Sequence, residues 1–447
     1  MTLSDVVFTP LFLCLVFILL YYTGSKIKHP RLRMFFFAGA WLKIVAGIGL
    51  GLIYQFYYDG GDTFNYYNQG LTVTEAFKDS FSAGWSVITG NGKYTPENFK
   101  YASRLLWFRS SSEQFIVNLS GILGFFLPET YTIISIVFSL ISFSGLWAMY
   151  RTLIRINPRL MNVGAVAVLF VPGVIFWGSG LLKDSIVIGM LGWMFYGTYH
   201  LLVLRKSLVI NTFIVLISVY VTYIVKIYVL FSFIPPFIFW LYLENSGRIR
   251  NVTVRTIAKP VFLIIAIASS YFLVANFMAN NDKYRLEMIA ERTRINADYL
   301  YRISQLQEGS AYYLGELDGS VESLVRLAPS ALVVTLFRPY IWEVTNPLMA
   351  ISALETLTLL ILLIYNVIKV GPLRFFSRIL TDRFLLFASV FIIVLAIAVG
   401  LNSFNFGTLV RYKIPLVPFF LVIISGTEKF IPAKRSNSLQ KRSVEPV

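Results

Sequence analysis

The chain has 447 residues, of which 57% are hydrophobic and only 14% are charged. Soluble domains contain about 45–50% apolar and about 25% charged residues, so a soluble globular protein is excluded. Apolar runs recur along the chain, and many reach the roughly 20 residues that a helix needs to cross a hydrocarbon core. The runs are continuous rather than alternating, which disfavours a transmembrane β-barrel. We therefore predict an all-α, polytopic membrane protein.

The apolar runs predict about eleven transmembrane spans. They lie at about 7–22, 34–57, 130–150, 160–178, 185–204, 208–225, 227–243, 260–278, 346–368, 384–401 and 413–427. We expect the first to be a retained span rather than a signal peptide, because it lacks a basic flank and a small-residue cleavage site. The spans form a single membrane domain, 1–427. A basic tail, 428–447, is expected to be cytoplasmic and disordered.

The basic residues are distributed unevenly between the two predicted sides. One side holds 22 of the 39 Lys and Arg residues but only 4 of the 23 acidic residues. Short basic loops remain cytoplasmic, so we predict an outer N-terminus and a cytoplasmic C-terminus. The net charge of +16 is thus a topology signal, and nucleic-acid binding is not expected.

This topology places two long loops outside, at about 58–129 and 279–345. The first contains a semi-apolar piece, 115–127, which is too short to span comfortably and is expected to be re-entrant or interfacial. The second begins with a charged run, 282–309, that we expect to be helical.

The first outer loop opens with 57-YYDGGDTFNYYNQG-70, directly after a predicted span. Gly60 and Gly61 permit positive φ and a tight turn, which would point the carboxylates of Asp59 and Asp62 toward one cavity. The same spacing could instead be a plain helix terminator. Two acids at an interface favour the functional interpretation.

Four further polar clusters lie at predicted outer ends of spans. They are Lys183 and Asp184 in 177-WGSGLLKDS-185, Lys226 in 223-YIVKIYV-229, Arg338 and Glu343 in 337-FRPYIWE-343, and Arg411 and Lys413 in 402-NSFNFGTLVRYKIPLVP-418. Ionisable groups near membrane depth cost a few kcal/mol unless they are paired or hydrated, so we expect a shared, water-accessible cavity. The structural alternatives are a helix cap, a lysine that snorkels to the surface and a local ion pair. The last cluster is the hardest to explain by topology, because it is basic on the outer side.

These residue types suit a phosphorylated substrate. Asp59 and Asp62 could act as general base and orienting partner, or hold a divalent cation such as Mg²⁺ or Mn²⁺. The cations suit a phosphate or diphosphate. Tyr66 and Trp177 provide faces for sugar rings or belong to the ordinary interfacial belt. One cysteine and two histidines disfavour a disulfide and a zinc site.

The order of these motifs resembles the GT-C class of lipid-linked glycosyltransferases and the bacterial O-antigen and exopolysaccharide polymerases. The resemblance rests on the acidic motif in the first outer loop and on 411-RYKIPLVP-418 before the last span. It implies that Asp59 or Asp62 is the catalytic base or metal contact, and that Arg338 and Arg411 hold a diphosphate. The acids here are spaced D-G-G-D, so the acting aspartate and a metal requirement stay open.

Three functions remain open at this point. The first is a glycosyltransferase or polysaccharide polymerase of the inner (plasma) membrane, with a polyprenyl-linked sugar donor and a glycan acceptor as partners. Arg411, Lys413 and Arg338 would hold the diphosphate, with help from Lys183 or Lys226. The second is a transporter or flippase of a lipid-linked or anionic solute, which predicts ionisable groups at the bilayer midplane and inverted repeats. The third is a structural or assembly subunit.

Overall fold

The architecture is a computed structural model that describes residues 3–245, 295, 302, 312–315 and 321–429. The regular elements in these ranges are helices, as the sequence predicts. In the first half of the chain they are α1 Leu3–Ser25, α2 Pro30–Phe56, α3 Asp62–Asp79, α4 Phe81–Thr89, α5 Phe99–Ala102, α6 Ser111–Phe126, α7 Tyr131–Ile156, α8 Met161–Ala165, α9 Pro172–Trp177, α10 Lys183–Thr198 and α11 Leu208–Asn245. After the gap they are α12 Val321–Phe337, α13 Pro347–Val370, α14 Pro372–Thr381, α15 Arg383–Ser403, α16 Phe406–Tyr412 and α17 Val417–Gly426.

Seven described helices are long and apolar enough to cross a membrane. The segments Phe406–Tyr412 and Val417–Lys429 make an eighth if this pair, bent by 70°, is one span. Large apolar side chains on these helices face outward, as Leu11, Leu15 and Ile18 of α1 do. The chain is therefore read as a multipass membrane protein. The predicted span 260–278, nearly all of 282–309 and the tail after residue 429 lie outside the described residues.

The predicted span 160–178 is not one continuous helix. It consists of α8, a π-helical turn at Val166–Phe170 and the short helix α9. Proline has no N–H and restricts the residue before it, so Pro172 begins a new helix instead of continuing the old one. The apolar run gives no sign of this break, whereas Pro172 does.

Charged side chains from two other helices hold both ends of α9. The carboxylate of Glu355 accepts from the N–H of Gly173 at 2.5 Å. The ammonium of Lys43 donates to the carbonyls of Val174 and Gly178, each at 2.7 Å. An acid at the start of a helix and a cation at its end complement the helix dipole. Both charges therefore fix the break that precedes α10.

A sharp break at Lys226 divides α11. Its backbone (φ −148°, ψ 79°) is not helical, so the 38-residue element consists of two pieces, 208–225 and 227–245. At 1.5 Å per residue each piece is about 27–28 Å long, close to the thickness of a hydrocarbon core. The break falls between the two spans predicted at 208–225 and 227–243.

The segment 58–129, predicted to be an outer loop, is largely helical and contains α3 to α6. The predicted piece 115–127 is the greater part of α6, which packs against α3. Gly121 lies at their contact, where its carbonyl accepts from the hydroxyl of Thr74 at 2.9 Å. The polar helix α3 carries no long apolar run, so the hydropathy pattern did not predict it.

Small residues let α7 and α10 approach closely. A Cβ on Gly145 would lie 1.8 Å from the carbonyl oxygen of Gly189, and one on Gly192 would lie 2.0 Å from that of Gly145. Such distances leave no space for a side chain. Membrane helices commonly pack through small residues in this way, and the contact fixes α10, whose first residues enter the site.

Contacts at the two ends of the bundle join segments that the sequence assigns to the same side. At one end Lys369 pairs with Glu428 at 3.0 Å, and Asn157 donates to the carbonyl of Lys429 at 3.2 Å. All four residues fall in segments predicted to be cytoplasmic. At the other end, the start of α10 meets α3, α6 and the break in α11.

Candidate functional site

A polar cavity of about 880 Å³ lies where α3, α6 and α10 begin. Each of these helices carries an acid in its first turn, namely Asp62, Glu113 and Asp184, and all three line the cavity. Because the first N–H groups of a helix bear partial positive charge, an acid there is stabilised by its own helix. The three acids therefore already offset the partial positive charge of the three helix starts.

Asp184 is the centre of the charged network. Its side chain is only 2% exposed, and its Oδ1 accepts an ion-pair hydrogen bond from the ammonium of Lys226. Its Oδ2 lies 3.2 Å from both Nε and Nη2 of Arg411. A buried carboxylate is tolerated only when it is paired and hydrogen-bonded, and here two cations meet that need.

Arg411 joins the buried carboxylate to an exposed one. Its Nη1 donates to Oδ2 of Asp62 at 3.0 Å. The side chain of Asp62 is 50% exposed, whereas that of Arg411 is 17% exposed. An exposed ion pair is weak in water. The Asp62 contact is therefore the part of this network that an incoming anion would displace most easily.

The break in α11 places Lys226 at the cavity. The hydroxyl of Ser112 donates to the carbonyl of Val225 at 2.9 Å, which satisfies a group at the point where the helix is interrupted. The ammonium of Lys226 lies 3.8 Å from the ring centroid of Tyr412, close enough for a cation–π contact. The predicted alternative, a lysine that snorkels to the surface, does not fit a side chain that is 7% exposed.

A second ion pair joins the starts of α6 and α10. Lys183 donates to Glu113, which also accepts from the hydroxyl of Ser110. Burial raises the pKa of Glu113, but its hydrogen bonds with Lys183 and Ser110 lower it by more, so the pKa lies below the ordinary value. Glu113 is thus ionised at neutral pH. Beside it, burial is the main cause that raises the pKa of Tyr66 far above its usual range.

The cations that line the cavity outnumber the carboxylates. Four basic side chains (Arg109, Lys183, Lys226 and Arg411) face three acids. Arg109 is exposed and has no ion-pair partner within the described residues. The surplus positive charge suits an anionic group.

A smaller cavity of about 390 Å³ shares Arg411 with the larger one. Trp177, Tyr54, Tyr58 and Phe406 supply its aromatic lining. Thr408 and Arg411 line both cavities. Trp177, predicted as a substrate-binding residue, therefore belongs to this second cavity.

Four predicted residues line neither cavity. Asp59 is exposed in the turn, with φ 50°. Arg338 and Glu343 pair with each other, with Arg338 Nε 3.0 Å from Glu343 Oε2, and the same carboxylate accepts from the N–H of Tyr340 at 2.8 Å. That geometry matches the local ion pair considered as the alternative. Lys413 is buried and donates to the carbonyl of Arg338 at 3.1 Å.

The D-G-G-D turn has the predicted backbone but aims only one acid at the cavity. Gly60 (φ 125°) and Gly61 (φ 104°) have positive φ, which glycine adopts at little cost. The N–H of Gly60 donates to the carbonyl of Tyr54 at 2.8 Å and so helps to end α2. Asp62 then begins α3 and lines the cavity, whereas Asp59 stays outside it.

Sequence reasoning missed the contribution of 109-RSSSE-113. It supplies Arg109, three serines and Glu113 to the cavity lining. The signal was readable, because serine followed three residues later by Glu is typical of a helix N-terminus. Ser110 and Glu113 have this spacing.

A divalent cation was one of the predicted alternatives. Within the described residues there is no group of three or more His, Cys, Asp or Glu side chains placed to hold a metal ion. Asp62, Glu113 and Asp184 each pair with a basic side chain instead. We therefore derive no step through a metal.

Comparison of the chain with models of known protein families, with curated protein sequences and with solved structures gave no match. The resemblance to GT-C transferases and polysaccharide polymerases thus stays a hypothesis carried by its motifs.

Proposed function

We propose that the protein is a glycosyltransferase or polysaccharide polymerase that uses a polyprenyl-(di)phosphate-linked sugar on the non-cytoplasmic face of the inner (plasma) membrane. One observation carries this proposal: Arg411 bridges an exposed and a buried carboxylate inside a cavity with surplus positive charge. The lipid bilayer, the lipid-linked donor and a glycan acceptor are its proposed partners.

The cavity offers the contacts that a diphosphate needs. Arg411 can bind phosphate oxygens through a planar fork of N–H groups. Lys183 and Arg109 line the same space and add point charges. Because these groups are held in place before the substrate arrives, they would stabilise the negative charge that develops on the departing diphosphate.

Asp62 is the proposed general base. It is the most exposed of the three lining acids (50%, against 27% for Glu113 and 2% for Asp184). When a diphosphate binds the Arg411 guanidinium and displaces Asp62 from it, the Asp62 carboxylate can accept a proton. The acceptor hydroxyl would lose that proton to Asp62 as its oxygen bonds to the anomeric carbon, while the bond from that carbon to the phosphate oxygen breaks.

A lipid-linked donor also requires access from the bilayer. Tyr223 lines the cavity and is 40% exposed. Phe213, Ile217 and Tyr220 continue the exposed apolar surface along the same helix. A lipid chain lying along this surface would reach the cavity with its phosphate end.

The test is a comparison of Asp62→Asn with Asp59→Asn in the native host. The two substitutions are chemically identical and lie in one turn, but only Asp62 lines the cavity. With both proteins at normal abundance, Asp62→Asn should abolish long surface glycan and accumulate its lipid-linked precursor. Asp59→Asn should leave the glycan unchanged. Equal glycan in both variants would refute the assignment of Asp62.

Transport of a lipid-linked or anionic solute is the second candidate, because ionisable groups lie buried within spans. Lys43 and Lys413 are at most 4% exposed, and broken helices such as those at Lys226 and at residues 413–416 also occur in transporters. A flux assay in sealed vesicles discriminates the two. Solute movement without transfer of sugar to an acceptor would favour transport.

A further inference from the structure

We propose that the smaller cavity is a separate binding site for an uncharged, hydroxyl-rich ligand, a saccharide. This inference rests on the proposed function only for the choice of a saccharide. The residues that line the cavity point to a polar, neutral ligand independently of that function.

The lining of the smaller cavity is polar but nearly uncharged. Amide and hydroxyl side chains dominate its polar groups: Thr345, Asn346, Ser352, Asn405 and Thr408. Arg411 is its one charged side chain among the described residues. A ligand with several hydroxyl groups matches such a lining, because each hydroxyl both donates and accepts. A second phosphate would find little positive charge there.

Two buried aromatic side chains present unused polar groups to this cavity. Tyr54 is 7% exposed and Trp177 is 6% exposed. Both line the cavity, and no hydrogen bond joins the phenol or the indole N–H to another described residue. Neither group is among the fully enclosed polar atoms that lack a partner, so a ligand in the cavity can reach both and act as the hydrogen-bond partner. Buried Tyr and Trp usually find such a partner. A bound ligand would supply it, and the ring faces would pack against its apolar side.

Arg411 relates the two sites. It lines both cavities together with Thr408, and its guanidinium contacts Asp62 at the larger one. A phosphate bound in the larger cavity would therefore lie close to a saccharide in the smaller one. The arrangement assigns the charged part of a substrate and an uncharged sugar to two cavities that share one arginine.

Protection of single reporter cysteines tests this assignment. Cys14 is the chain's one cysteine and is exposed, so a Cys14→Ser background permits one reporter at a time. Ser352→Cys reports on the smaller cavity and Ser111→Cys on the larger one. The rate of maleimide labelling is measured for the full-length protein in detergent. The probes are inorganic pyrophosphate and the neutral oligosaccharides released from the producing cell's surface glycan.

The oligosaccharides should slow labelling of Ser352→Cys about tenfold near ten times their Kd and leave Ser111→Cys unchanged. Adding Trp177→Phe should weaken this protection by about two- to tenfold, which corresponds to the loss of one hydrogen bond. The control is Trp85→Phe, at an exposed residue that does not line the cavity, and it should leave the protection unchanged. Absence of protection at Ser352→Cys would overturn the inference. If pyrophosphate fails to protect Ser111→Cys, that result counts against the phosphate site in the larger cavity and not against the saccharide site. The two proposals can therefore fail separately.

Discussion

The buried pair of Asp184 and Lys226 gives a prediction whose size follows from the contacts. In Asp184→Asn, Lys226 keeps its cation–π contact with Tyr412 but loses its ion-pair partner. Leaving one charge of a buried pair uncompensated costs about 3–5 kcal/mol. In Lys226→Met, Asp184 still has Arg411 at 3.2 Å. That variant should lose only about 1.5–3 kcal/mol, the range for a hydrogen bond with a charged group.

The assay is unfolding in mixed micelles, followed by tryptophan fluorescence. The double variant Asp184→Asn/Lys226→Met should be more stable than Asp184→Asn alone, because it removes the unpaired ammonium. Arg104→Met is the control, since it breaks a pair with Glu75 in which both side chains are about half exposed and which solvent screens. If Asp184→Asn is no less stable than Arg104→Met, the claim that Asp184 is needed to pair the buried ammonium of Lys226 is refuted.

Three further predictions concern the helix contacts and ion pairs that hold the cavity residues in place. Gly145→Ala should destabilise the protein strongly, because its Cβ would overlap a backbone carbonyl. Gly49→Ala should not, since its Cβ meets nothing within 4 Å. Thermal unfolding of the two variants tests this difference. Lys43→Met should lower activity and stability together, because it uncaps two carbonyls of α9; a stable, fully active variant would contradict this. The Glu113 pKa is lowered on folding, so its ion pair stabilises the protein above about pH 4.5 and is lost as pH falls through the folded pKa. Glu113→Gln should remove that acid-dependent step from the melting profile, and an unchanged profile would refute it.

The sequence predicted the fold where a long apolar run had clear ends. The span predicted at 384–401 corresponds to Arg383–Ser403, and the one at 346–368 to Pro347–Val370. Each begins with a side-chain cap, from Asp382 and Asn346 respectively. Hydropathy did not indicate the break at α9, because that short helix is held by charged side chains distant in the sequence.

The misplaced charges in the sequence indicated several residues that line the larger cavity, but not which of them pair with each other. Lys226 and Asp184 were unusual in apolar surroundings, so the sequence singled them out. Their contact joins residues 42 apart in the chain, and the Arg411–Asp62 contact joins residues 349 apart. Such pairs depend on how helices pack and leave no local signal. The choice between Asp59 and Asp62 likewise needed the turn geometry.

The most direct test of the central claim is binding of a polyprenyl diphosphate to the purified protein, measured by calorimetry in detergent. The parent protein and Asp59→Asn should bind it equally. Arg411→Ala should bind about ten- to a hundredfold more weakly, as expected for the loss of a charge-assisted hydrogen bond of about 1.5–3 kcal/mol. Equal affinity of the Arg411→Ala variant and the parent would contradict the account.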